Sequence, residues 1–467
     1  MEEEKFGFAH EEDIEEVVRR YERMRKNNET FFFDVSEFET IIDYYLECNN
    51  PGKAYDATEA AVHQHPNSLS IQIRQARVLL DKGRAMETLR LLRKLESIEP
   101  GNPEIYLIKG TALGMLGDIA GARRMFEIAI SSDTEEPEDT MYAVISILQN
   151  LNYYEDVVHY MQMLIQREPF FHAHFYDLAF AYEKTGDLTN AARYYEAYLE
   201  EEPHSDSAWY NLGIVYNKLE DYNNALKAYD YALAINSVNT FALFNKGNIL
   251  CNLERFEEAL DAYLEYLELE DESPEAMTYI GECYEKTGNY DLARKYFQDA
   301  IENTPDFPDA WFGLGVLAFR TGIYNDAVML FSKCVRLDEQ NPEYYHMLAR
   351  SLYASGRLKD CVRNLKKSLR IDPFFAESWI DIAAILKETG NLTRTIKYFE
   401  KARRIVGDVP GLNYILGGCN LAAGKPAIAL DYLQQAIETD RELFSDFRTL
   451  YPDNLIDDNI RNLTKDI

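Results

Sequence analysis

The sequence predicts an all-α solenoid of antiparallel helical hairpins, and three observations carry that expectation. Residue types recur at a fixed step of 34. From Trp209 the step reaches Leu243, Met277, Trp311, Tyr345 and Trp379. From Gly213 it reaches Gly247, Gly281, Gly315, Ala349, Ala383 and Gly417, and from Ala225 it reaches Ala259, Ala293, Ala327, Cys361, Thr395 and Ala429. Large and small residues in fixed slots at one period are the mark of a repeat architecture. Within each unit, slots 4, 7, 8 and 11 follow the i, i+3, i+4, i+7 spacing of one helix face, and slots 20, 24 and 27 follow it again for a second helix. Between the two helices stand turns such as Thr185-Gly-Asp187, Thr287-Gly-Asn289, Thr321-Gly-Ile323 and Thr389-Gly-Asn391. Glycine suits the left-handed residue that ends a helix, and Asp or Asn suits the cap of the next.

Composition narrows the class. The chain has 467 residues, of which 46% are hydrophobic and 13% aromatic, more than a disordered chain carries. A length that elsewhere implies about three domains is here an array whose units touch only their neighbours. The net charge is −32, with 48 Lys+Arg against 80 Asp+Glu. Such a field repels phosphate backbones and anionic membranes, so no nucleic acid and no membrane insertion are expected. The acidic start Met1-Glu-Glu-Glu-Lys-Phe-Gly-Phe does not read as a signal peptide. No stretch approaches roughly 18 apolar residues, and the protein reads as cytoplasmic. Cys48, Cys251, Cys283, Cys334, Cys361 and Cys419 form no close Cys-x-x-Cys pair, so neither a zinc site nor a redox motif is suggested, and Cys334 and Cys361, in slots where other repeats place Ala, read as small buried residues.

In chain order, residues 1–34 read as an N-terminal capping helix. Ile14, Val17, Val18, Tyr21 and Met24 share a face, with Phe31-Phe-Phe33 as a staple behind it. Twelve repeats follow over 35–443, starting at residues 35, 69, 103, 138, 172, 206, 240, 274, 308, 342, 376 and 410. The single 35-residue interval falls at Glu135-Glu-Pro137. A small residue at slot 8 lets the second helix approach, and an aromatic at slot 24 (Phe126, Tyr195, Tyr229, Tyr263, Phe297, Phe331, Phe399) fills the gap between hairpins. Proline near slot 32, at Pro66, Pro100, Pro169, Pro203, Pro305 and Pro373, is expected to end the second helix. Residues 444–467, with Phe444, Phe447, Leu450 and Tyr451, read as C-terminal capping helices.

The pattern resembles the tetratricopeptide repeat family, in the large–Leu–Gly–Tyr of helix one, the Ala–aromatic–Ala of helix two and the terminal proline. The repeat with Trp209, Leu212, Gly213, Tyr216, Ala225, Tyr229 and Ala232 matches well, departing at Ser237 where proline is expected. The first two repeats diverge, with Gln72 at slot 4 and with Ile42 and Ala76 at slot 8, and Asn413 at slot 4 sets the twelfth apart. The resemblance implies a right-handed superhelix whose concave inner wall is the usual ligand site.

Helical geometry says which residues face that wall. At 100° per residue, slots 7, 8 and 11 lie within about 60° of slot 4, while slots 2, 6, 9 and 13 lie about 140–200° away. In the central repeats the wall and its flanks at slots 5 and 12 supply the candidate peptide-binding residues Tyr176, Phe180, Tyr210, Asn211, Ile214, Phe244, Asn245, Asn248, Tyr279, Glu282, Phe312 and Val316. Asparagine both donates to and accepts from a peptide backbone, and tyrosine and phenylalanine add rigid area at low entropy cost. Packing between first helices is the competing role for the flanking aromatics, and solvation for the asparagines.

Two family variants are disfavoured. The chaperone-adaptor clamp needs Lys and Arg where this chain has Tyr210/Ile214, Phe244/Asn248 and Thr278/Glu282, and the asparagine ladder of the glycosyltransferase scaffold stops after Asn211 and Asn245. His63-Gln-His65 and His172-Ala-His174 have a spacing that does not share a helix face. No phosphate loop, Gly-x-Ser-x-Gly or His-Glu-x-x-His occurs. The expectation is therefore a non-enzymatic scaffold, with no catalytic residue, cofactor or metal, that binds extended peptide segments of partner proteins. The alternative is a homo-oligomeric, self-associating subunit using its caps or the basic stretch 350–404, with Arg363, Lys366, Lys367, Arg370, Arg403 and Arg404.

Overall fold

A computed structural model describes residues 2–441 apart from 28, 169–170, 271, 389–391 and 408, with side chains from Ile14 onward except at 387, 388, 406 and 410. The expected C-terminal caps, the Thr389-Gly-Asn391 turn and Pro169 lie outside the described residues. Every regular element among the described residues is a helix, in an all-α helical-repeat fold as expected. In order they are α1 (Glu2–Asn27), α2 (Val35–Glu47), α3 (Pro51–Gln64), α4 (Leu69–Asp81), α5 (Ala85–Glu96), α6 (Pro103–Met115), α7 (Ile119–Ser132), α8 (Pro137–Asn150), α9 (Tyr154–Arg167), α10 (Ala173–Thr185), α11 (Leu188–Glu201), α12 (Asp206–Lys218) and α13 (Tyr222–Ile235). Then come α14 (Thr240–Asn252), α15 (Phe256–Leu269), α16 (Pro274–Lys286), α17 (Tyr290–Asn303), α18 (Pro308–Arg320), α19 (Tyr324–Leu337), α20 (Pro342–Ala354), α21 (Leu358–Ile371), α22 (Ala376–Glu388), α23 (Leu392–Val406), α24 (Pro410–Ala422) and α25 (Pro426–Thr439). The chain forms two compact units, Met1–Ala228 and Tyr229–Ile467.

The helices start where local chemistry tells them to. Asp34 and Glu37 form a capping box on α2. The side chains of Ser68, Asn102, Ser205, Asn239, Ser273 and Asn341 each accept a backbone N–H of the first turn they precede. Each hairpin whose turn is described turns through one residue of positive φ. Glycine holds it at Gly186, Gly288 and Gly322, but Glu220 (φ 61°) and Glu254 (φ 57°) occupy the same place without glycine's freedom. Asp187 caps α11 as expected, accepting from the Asn190 N–H at 3.2 Å, whereas Asn289 makes no such bond to α17.

Proline works differently from the simple expectation. The second helices end before it, α11 at Glu201 ahead of Pro203 and α17 at Asn303 ahead of Pro305. The residue preceding proline is driven out of the α region and stops the helix. The proline carbonyl then accepts a hydrogen bond from the slot-4 side chain of the next hairpin. Trp209, Trp311 and Trp379 each donate Nε1–H at 2.9 Å to the oxygens of Pro203, Pro305 and Pro373. Tyr106 and the divergent Gln72 do the same to Pro100 and Pro66, at 2.8 and 2.7 Å.

The core repeats one device. The slot-24 ring presses on the slot-8 glycine of its own hairpin, so closely that a Cβ on Gly281 would lie 2.6 Å from the Phe297 ring and one on Gly315 would lie 2.7 Å from Phe331. Phe297 also meets slot 6 of the following hairpin, at Gly313. Burial reaches beyond the expected seam, to slot 3 (Ala208, Ala242, Ala276, Ala310) and slot 10 (Val215, Ile249, Cys283, Leu317). In the first unit, Val18, Tyr21 and Met24 of α1 pack on Phe33, Phe38, Ile41 and Tyr45. The ring of Tyr21 stands edge-on to Phe33 at 6.0 Å, while Phe32 is 71% exposed.

Candidate functional site

The candidate residues stand on first helices. In the first unit, α10 carries Tyr176 and Phe180, and α12 carries Tyr210, Asn211 and Ile214. In the second, α14 carries Phe244, Asn245 and Asn248, α16 carries Tyr279 and Glu282, and α18 carries Phe312 and Val316. All are half-buried except Glu282, which is exposed.

Most of the aromatics also serve the architecture. Tyr176 stands edge-on to Tyr195 at 5.6 Å and to Tyr198 at 5.4 Å. Phe180 lies beside Tyr154 and under the Lys184 ammonium, 4.7 Å from the ring centre. In the second unit Phe244 packs on Tyr263, Tyr266 and Tyr279, and Tyr279 stacks flat on Tyr263 with centroids 5.4 Å apart. Phe312 packs on Phe331 and Tyr344. The asparagines are not simply solvated. Asn211 donates to the Tyr176 hydroxyl at 2.8 Å, and Asn248 accepts from the buried Tyr263 hydroxyl at 2.7 Å. Each keeps further donor or acceptor capacity for a backbone alongside. Tyr210 and Asn245 are not without partners either.

The carboxylates reveal more than the aromatics. Desolvation is the leading cause that pushes up the acids Asp81, Glu104, Asp177, Glu282 and Glu343, Glu282 to about 7. Each is open to water at its own surface, yet walled round by neighbouring helices. Each also falls in slot 2, 6, 9 or 13, the face that geometry sets opposite the seam. Because water still reaches these groups, the directions matter here rather than an energy. Around Glu282 the charges compound the crowding: Asp309, Glu285 and Glu343 push it further up and only Lys286 opposes them.

A cavity of about 470 Å³ on the second unit gathers three candidates, Asn248, Tyr279 and Glu282, together with Cys251, Cys283 and Lys286. A larger one, about 560 Å³, lies elsewhere in that unit among Trp311, Met329, Lys333 and Arg336 and holds none of the candidates. Sequence reasoning missed the sulfur pair. Cys251 and Cys283 stand 32 residues apart, and their sulfurs are 3.5 Å from each other. The available signal was a cysteine at slot 12 of one repeat and at slot 10 of the next.

Other charged groups are engaged within their units. His174 is buried, with Nε2 2.9 Å from Glu168 Oε2 and 3.2 Å from the Tyr142 hydroxyl. In the basic stretch, Lys366, Lys367 and Arg403 lie over the rings of Tyr398, Tyr345 and Tyr432 at 5.0–5.3 Å, and Arg363 pairs with Asp360 at 3.3 Å. Among the described residues, no group of His, Cys, Asp and Glu is arranged to hold a metal, and no helix is long and apolar enough to cross a membrane.

Paired helices repeating with a recurrent aromatic wedge define a helical-repeat protein. Residues 176–239, 244–306 and 284–342 match the tetratricopeptide repeat, as do residues 342–375 under a second model of the same repeat. These matched segments of the chain are tetratricopeptide repeats. Among solved structures the chain is similar to yeast Tom70, with 14% identity over 88% of this chain and 93% of that one, at a TM-score of 0.45. It is also similar to a tetratricopeptide repeat protein from Parabacteroides merdae, with 18% identity over 63% and 97%, at 0.44. A third is YrrB, described as a TPR protein with an unusual peptide-binding site, with 21% identity over 39% and 95%, at 0.33. No curated protein sequence matches the chain.

Proposed function

We propose that the protein is a non-enzymatic scaffold that binds an extended peptide segment of a partner protein along the slot 2, 6, 9 and 13 face. On the second unit that segment carries lysine or arginine. One observation carries this reading: the solvent-open carboxylates held up by desolvation all fall on that face. A cation arriving beside Glu282 or Glu343 restores the compensation that water gives elsewhere, and electrostatic complementarity of this kind sets specificity and encounter rate. Asn245, Asn248 and Tyr279 supply hydrogen bonds and flat area along the same stretch.

The test is an array of immobilised extended peptides of basic, neutral and acidic composition. It is probed with the full chain and with a Glu282→Lys/Glu343→Lys double variant of unchanged helicity. The full chain is expected on lysine- and arginine-rich spots, and the variant is expected to lose at least about tenfold in affinity there, about 1.4 kcal/mol. Binding that ignores peptide charge, or equal binding by both proteins, removes the reading.

A further inference from the structure

We propose that Cys251 and Cys283 are a modification site: a dithiol that peroxide converts to a reversible disulfide joining α14 to α16. The proposal is independent of what the neighbouring face binds. Its basis is placement. Cys251 is the penultimate residue of α14 and Cys283 lies in the last turn of α16, so the packing of successive first helices brings their sulfurs to 3.5 Å. A disulfide needs about 2.05 Å, so closure asks each sulfur to move roughly 0.7 Å. Both thiols are free in this structure.

Access differs between the two, and the difference orders the chemistry. Cys251 is half-buried and Cys283 is buried, and both line the open cavity with Lys286, Asn248 and Glu282. An oxidant arriving through the cavity therefore meets Cys251 first. The contact polarises the pair: hydrogen bonding from Cys283 lowers Cys251, and the same contact with burial raises Cys283. Cys251 is thus the attacking thiol and Cys283 the resolving one. Buried Cys334 and Cys361, by contrast, are pushed up by burial to about 12 and about 11.

The co-reactant is a hydroperoxide, with hydrogen peroxide as the simplest. The Cys251 thiolate attacks one peroxide oxygen and the O–O bond breaks. Hydroxide leaves, takes up the proton that Cys251 released, and becomes the first water. Cys251, oxidised by two electrons, is now a sulfenic acid. The Cys283 sulfur attacks the Cys251 sulfur, the S–O bond breaks, and hydroxide departs with the Cys283 proton as the second water. Two thiols and one peroxide give one disulfide and two waters, and an external dithiol reverses the product by exchange.

The experiment treats the reduced, full-length protein with hydrogen peroxide, alkylates the remaining thiols under unfolding conditions and maps peptides by mass spectrometry. The expected product is a Cys251–Cys283 linked peptide, two hydrogens lighter than its parts and restored by dithiothreitol. Exposed Cys48 is the internal control for dose. If Cys251 and Cys283 are both still alkylated at a dose that oxidises Cys48, the proposal fails. In Cys283→Ser, Cys251 is expected to persist as a sulfenic acid trapped by dimedone. An unreactive Cys251 in that folded variant overturns the assigned order and the site with it.

Discussion

Glu104 and Glu282 stand on corresponding faces of the two units and live in opposite company. Burial pushes both up, but Arg74 and Arg77 pull Glu104 back down ahead of the smaller push from Asp43 and Glu39, whereas Asp309, Glu285 and Glu343 drive Glu282 higher against Lys286 alone. Arg74 is itself held by two carboxylates, 2.8 Å from Asp43 and 3.3 Å from Glu39. Glu104 thus has two guanidinium groups among its neighbours, whereas Glu282 has only Lys286 against three carboxylates. The skeleton is common to both units, so the electrostatic difference lies in side chains that the fold does not need. A repeat protein can thus hold its architecture constant and vary only what the shared face offers.

The largest effect tests the shared skeleton. Phe126→Ala in the first unit and Phe297→Ala in the second each remove a buried wedge and should cost about 3–5 kcal/mol in denaturant unfolding. A large cost in one unit and none in the other breaks the premise of a common core. Next come the two asparagines. Asn248→Ala strips the acceptor from the buried Tyr263 hydroxyl and should cost about 1–3 kcal/mol. Asn211→Ala frees the hydroxyl of half-buried Tyr176, which turns to water, for about 0.5–1 kcal/mol. Equal costs would erase this distinction between the units. Smaller again, Glu220→Gly and Glu254→Gly relieve left-handed residues and should each raise stability by about 0.5–1 kcal/mol.

The last prediction concerns protons. Between the ordinary value of 4.5 and about 7, the folded chain holds a proton on Glu282 that the unfolded chain has lost. Stability therefore falls as pH rises through that window. Glu282→Gln removes this cost, so its melting temperature should exceed that of the parent at pH 8 and equal it at pH 4. Glu104→Gln should show a smaller rise, because Arg74 and Arg77 already favour its charge. If the two variants behave alike, the contrast between the faces is wrong.

Much of this was legible in the sequence because helical period and repeat period are both local. The paired helices, the small slot 8, the slot-24 wedge that reaches the next hairpin at Gly313, and the glycine turns at Gly186, Gly288 and Gly322 follow from spacing alone, whereas the contact of Phe297 with Gly281 of its own hairpin does not. Much of what else was not legible depends on the neighbouring repeat. Slots 3 and 10 are buried because each first helix is flanked on more than one side. Asn211 looked like an exposed polar residue, and its tyrosine partner lies 35 residues away on the preceding repeat. The close sulfurs of Cys251 and Cys283 were hidden for the same reason. The candidate residues were placed by face alone, which says nothing of how charge accumulates along it.

The tryptophan–proline bonds have a mechanical consequence. Each spans six residues and ties the end of one hairpin to the start of the next, a short clip at the joint itself. Joints that lead into Trp209, Trp311 and Trp379 carry the clip. Those that lead into Leu243 and Met277 have no side-chain donor to form it. Compliance is therefore graded from joint to joint, as in a spring wound from stiff and soft coils. Under tension the joint leading into Leu243, which lacks the clip, is expected to yield before those leading into Trp311 and Trp379.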